Sequence, residues 1–103
     1  MIVSLEAVKA HLRLDPDPDS VVDAELEAML AAAIDYVSNY LGRPVPWKDS
    51  QGEDVFPPSV RAAILLLVGD LHENREATIT GSSVADNPAV HRLLHFYRVG
   101  LGV

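Results

Sequence analysis

A chain of 103 residues, 49% hydrophobic and 22% charged, has the size and composition of one soluble folded domain and is unlike a disordered or fibrous chain. Fifteen Asp and Glu against eight Lys and Arg give a formal net charge of −7, which argues against a role that grips a phosphate backbone over a wide face. The absence of cysteine excludes a disulfide framework, a thiolate metal site and a cysteine nucleophile.

Met1-Ile2-Val3-Ser4-Leu5-Glu6 lacks the basic region and long apolar stretch of a signal peptide, so synthesis in the cytoplasm is expected. Ser4 can cap a short helix to about Leu12, where Leu5, Val8 and Leu12 form one apolar stripe that Leu14 extends. Asp15-Pro16-Asp17-Pro18-Asp19 cannot stay helical, because each proline lacks a donor and disfavours helical geometry in the residue before it. A long helix is expected from Ser20 to Leu41, with Val22, Leu26, Met29, Leu30, Ala33, Val37, Tyr40 and Leu41 on or beside one face. Ser20 with Asp23 resembles a capping box, and Gly42 stands where a left-handed cap would end the helix. From Arg43 to Pro58 the prolines and the polar Lys48 to Asp54 run exclude regular helix, and Trp47 should fold back on the core.

A third helix is expected from near Pro58 to about Glu76, through Val60, Ala63, Ile64, Leu67, Val68 and Leu71, with Leu65 and Leu66 widening its apolar arc. Its longest purely apolar run, Ala62 to Val68, is far short of the ~20 residues of a membrane span. A helix so broadly apolar is either the centre of a bundle or one side of an interface. Ala77 to Asn87 reads as a polar loop, and Asn87-Pro88 opens a last helix carrying Val90, Leu93, Leu94 and Tyr97. The tail changes period, placing Val99, Leu101 and Val103 on one side of an extended chain. The expected fold is therefore all-α, one domain over residues 1–103 with about four helices, a long polar loop before the last and an extended tail from residue 97.

Motifs that carry chemistry fail on inspection. Asp15, Asp17 and Asp19 have the opening spacing of a calcium loop, but its sixth position would be Ser20 instead of glycine and its twelfth Leu26 instead of a bidentate Glu. His72-Glu73 begins a zinc-protease helix whose second histidine is replaced by Glu76. His91 and His95 lie one turn apart, yet two ligands rarely hold a metal, and a polar helix face is the better account. No serine sits in a nucleophile elbow, Gly81-Ser82-Ser83 is not a phosphate loop, and no helix carries the basic face of a DNA reader. No enzyme activity, metal or cofactor is expected.

Ser4-Leu5-Glu6-Ala7-Val8-Lys9-Ala10-His11-Leu12-Arg13-Leu14-Asp15, the helix end Tyr40-Leu41-Gly42-Arg43-Pro44, the run Val60 to Val68 leading into Glu73-Asn74-Arg75-Glu76, and Leu93-Leu94 with Tyr97-Arg98 follow one another in a distinctive order. In that order and spacing the chain resembles the phage head-tail connector family, small adaptors also described as DNA-packaging proteins. One departure is Phe96, where similar chains often place a proline just before the final Tyr-Arg.

The resemblance implies an all-α structural virion protein of a tailed phage or prophage. Its copies would form a ring homo-oligomer beneath the portal protein, offering a surface to the next neck or head-closure protein. DNA would pass through without specific binding, no membrane would be involved, and the protein would move from host cytoplasm to the virion neck. On that expectation Arg61, Leu65, Leu66 and Arg75 are assigned to contact between copies, on the side of the third helix not needed by its own core. Arg98, Val99, Leu101 and Val103 are assigned to a partner such as the portal. Glu53, Asp54 and Asp86, with the Asp15 to Asp19 turn, are candidates for an acidic channel lining that repels phosphates. The competing expectation is a small helical regulatory module that binds one protein partner as a monomer or dimer.

Overall fold

The computed structural model describes residues 3–74 and 88–99. Helix α1 spans Leu5–Leu12, α2 Ser20–Leu41, α3 Pro58–Asn74 and α4 Pro88–Leu94, with a 3-10 turn over His95–Tyr97. Between α2 and α3, two-residue strands β1 (Trp47–Lys48) and β2 (Asp54–Val55) pair antiparallel, Trp47 opposite Val55 and Lys48 opposite Asp54. The fold is largely all-α, as expected, with this small ribbon added.

Local chemistry sets the helix ends. Ser4 is extended and its hydroxyl accepts from the Ala7 N–H at 3.1 Å, the geometry of an N-cap. At the other end of α1, Arg13 takes the left-handed conformation, its N–H donating to Ala10, while the Leu14 N–H reaches the Lys9 carbonyl at 2.8 Å. That double closure satisfies carbonyls otherwise orphaned at a helix end. Gly42 does the same for α2 at φ +71°, with Arg43 donating to Ser38.

At the start of α2 the structure differs from the sequence expectation. Asp19, not Ser20, is the cap: its Oδ1 accepts from the N–H groups of Val21 and Val22 at 3.0 and 3.1 Å. The physical reason is charge as well as geometry, since a carboxylate outside the first turn meets both the orphan donors and the positive end of the helix dipole. Ser20 is already helical, and Asp23 is left for another partner.

Leu26, Leu30, Ala33, Val37 and Leu41 of α2 recur every three to four residues and are buried against α3. From α3 itself Val60, Ala63, Ile64, Leu65, Leu67 and Val68 are buried, joined by Val90 and Leu94 of α4 and by Val3 and Val8. Helix α3 packs against α2, α4 and α1 at once, which explains its broad apolar arc. Trp47 does fold back, packing at the edge of this core with Val45 and Phe56. In the ribbon's loop, Asp49 Oδ1 accepts from the N–H groups of Gln51 and Glu53, and Gly52 supplies φ +81°.

Candidate functional site

At the start of α2, Lys9 is one of the few charged side chains drawn inside, with a side-chain exposure of 6%. Its ammonium lies 2.7 Å from Asp23 Oδ1 and donates to the Asp17 carbonyl oxygen at 3.1 Å. One cation thus ties α1, the acidic turn and α2 together. Asp17 in turn donates its N–H to Asp15 Oδ1, so the turn is held from within. Beside Lys9 opens a cleft of about 230 Å³, walled by Leu14, Pro18 and Val22 and rimmed by Asp15, Asp17 and Asp19. Sequence reasoning placed the acidic turn but missed both the ion pair and the cleft, because Lys9 sits next to the apolar stripe and nothing local marks it as buried.

The far end of α2 is built from aromatic and basic groups. Tyr36 and Tyr40 stack with ring centroids 6.5 Å apart, Tyr40 stacks on His91 at 5.1 Å, and the Tyr36 hydroxyl shares a hydrogen bond with His91 Nε2 at 3.3 Å. His91 is therefore engaged in holding α4 on α2. Among the described residues, no three His, Asp or Glu side chains converge where a metal could be held. Tyr97 tilts against Trp47, over which the Arg43 guanidinium lies at 4.4 Å. Between the inward-facing Leu94 and Tyr97, Phe96 projects into solvent with 88% of its surface exposed.

The residues singled out from sequence fall in different places. Arg61 is exposed on α3 and Leu66 is partly buried against the core. Leu65 departs from expectation: at 7% exposure it belongs to the core of its own chain, because α3 is surrounded on more than two sides. Its side chain is not on a face left over for contact. Arg98 donates its Nε–H to the Tyr40 carbonyl at 3.1 Å and lies over the Tyr40 ring, while the Val99 N–H donates to the Leu41 carbonyl at 2.7 Å. The start of the tail is thus docked on the end of α2, with Val99 half exposed. Glu53 and Asp54 are exposed on the ribbon, where Asp54 pairs with Lys48. Arg75, Asp86, Leu101 and Val103 lie outside the described residues.

The described residues thus form a helical fold whose caps, ion pair and ring stacks hold its elements together and whose surface carries exposed apolar groups such as Phe96. In agreement with that, the family model described as phage gp6-like head-tail connector protein matches residues 2–98. The chain belongs to this family. The head-tail connector family is structural and non-enzymatic, its members being components of the phage neck that associate with other head and tail proteins. Searches among curated proteins and among solved structures each return no match. No described helix is long and apolar enough to cross a membrane.

Proposed function

We propose that copies of this head-tail connector form a ring adaptor between the portal protein and the next neck or head-closure protein, extending the channel through which DNA passes. The observation that carries the reading is the family match over residues 2–98, nearly the whole chain. The fold supports it in a second way. Its core is filled by its own helices, so assembly must use surface features, and exposed Phe96, Val21 and Val99 provide apolar ones.

In this reading Arg61, the outer part of Leu66 and Arg75 contribute to the contact between copies. Arg98, Val99, Leu101 and Val103 are assigned to binding the portal, with the Val99 N–H held on the Leu41 carbonyl. Glu53 and Asp54, on the exposed ribbon, and Asp86 face the channel, where carboxylates repel phosphates and keep DNA from sticking. Assembly takes place in the host cytoplasm and ends in the virion neck.

Negative-stain electron microscopy with light-scattering mass, with and without the portal protein, tests the proposal. Rings with an open centre, alone or formed only on the portal, support it. A compact dimer or monomer indifferent to the portal refutes it in favour of a regulatory module.

A further inference from the structure

We propose that neighbouring copies join head to tail by seating Phe96 of one copy in the cleft between Leu14, Pro18 and Val22 of the next. This names the contact within the ring proposed above and rests on that reading.

The first observation is the knob. Phe96 is 88% exposed, yet it does not hang on a loose end. Leu94 and Tyr97 on either side are packed inward, and the following backbone is fixed by the hydrogen bonds of Arg98 to Tyr40 and of Val99 to Leu41. A large apolar ring held outward on a rigid base loses little freedom when a partner covers it.

The second is the socket. Its volume of about 230 Å³ exceeds the ~150 Å³ of a cavity known to accept a benzene ring, and its walls of Leu14, Pro18, Val22 and the Lys9 stem are apolar.

Charge identifies the occupant as a second copy. Residues 88–99 carry Arg92, His95 and Arg98 and no acid, although the whole chain has a net charge of −7. The socket rim carries Asp15, Asp17 and Asp19 and no exposed base. His95 packs edge-on against Phe96 with ring centroids 5.5 Å apart, and Arg92 is exposed one turn earlier on the same segment, so each copy presents a basic knob to an acidic socket. The two surfaces sit at opposite ends of α2, whose 22 residues span about 33 Å, so they do not meet within one chain. Unlike surfaces at opposite ends make a heterologous contact, the kind that builds rings.

Because the chain has no cysteine, single thiols can be placed cleanly. His95→Cys beside the knob and Val21→Cys beside the socket are both exposed positions; the first removes one basic group but leaves Phe96 and Arg92, and the second leaves Val22. Each variant, their mixture and the double variant are treated with a short bis-maleimide, with and without portal protein. We expect no coupling within either single variant, a covalent pair in the mixture, and a ladder of three and more in the double variant. Coupling of His95→Cys to itself, or a ladder that stops at two, overturns the contact. So does the absence of coupling in samples that microscopy shows to be rings. If the wild-type chain forms no rings even with portal, the ring reading itself fails, and this contact with it. Phe96→Asp gives an independent measure: an exposed substitution that leaves the circular dichroism unchanged and abolishes the rings, whereas persistent rings refute the proposal.

Discussion

Replacing Asp23 with Ala should cost this fold about 3 kcal/mol, whereas replacing its partner Lys9 with Met should cost about 1. The asymmetry follows from unequal burial within one ion pair. The Lys9 side chain is 6% exposed and that of Asp23 26%, at an Nζ to Oδ1 separation of 2.7 Å. Without Asp23 the ammonium keeps only the Asp17 carbonyl, and an uncompensated buried charge is among the costliest defects. The value sits at the low end of the roughly 3 to 5 kcal/mol lost on breaking a buried pair, because a lysine stem can carry its charge part-way to solvent. Without Lys9, methionine fills similar volume and Asp23 takes up water at its exposed edge, so only the net worth of the pair is lost. Urea titrations followed by circular dichroism measure both, and the melting points should fall by about 12 to 24 °C for Asp23→Ala and about 4 to 8 °C for Lys9→Met. General charge repulsion predicts the opposite order, since losing an acid brings the net charge of −7 nearer zero and losing a base takes it further away. Equal losses, or a larger loss for Lys9→Met, would refute the reasoning.

The same titrations check three further expectations. Asp19→Ala should cost about 1 kcal/mol as a lost N-cap while Ser20→Ala stays within about 0.5, and the reverse order would return the cap to Ser20. Gly42→Ala should cost about 1 to 2 kcal/mol, because the added Cβ is held at φ +71° and lies 3.4 Å from the Val99 carbonyl oxygen; an unchanged urea midpoint would contradict this. Leu65→Ala, titrated at concentrations where light scattering shows monomer, should lower stability by about 2 to 3 kcal/mol, whereas a residue serving only contact between copies would leave the monomer unaffected.

What could be read from the sequence followed how local the signal was. Ser4 and Gly42 act through neighbours three or four residues away, and both were legible as caps. The start of α2 misled by one residue because Asp19 and Ser20 are both good caps, and only the extended backbone of Asp19 decides between them. The ribbon was invisible, since two residues per strand give no alternation to detect. Leu65 was misplaced for a tertiary reason: periodicity reports the width of an apolar arc, but only the packing of α1, α2 and α4 around α3 shows that the arc is used up. Lys9 and Arg98 were hidden for the same reason, their partners Asp23 and Tyr40 lying on another element.

Net charge likewise concealed a polarity that bears on how copies meet. Two copies related by a two-fold axis could engage both knobs and both sockets only by lying antiparallel along α2. The outward side of that helix carries Glu27 and Asp35, both exposed. An antiparallel pair would lay these carboxylates against their counterparts, and placing like ends together would set Arg92 and Arg98 against themselves. The head-to-tail contact proposed above would avoid both repulsions, setting the basic end of one copy against the aspartates of the next while the acidic sides of α2 stay in solvent. A heterologous succession of that kind closes into a ring only where the rotation per copy allows it, so the proposed ring depends on where the charges lie and not on their sum.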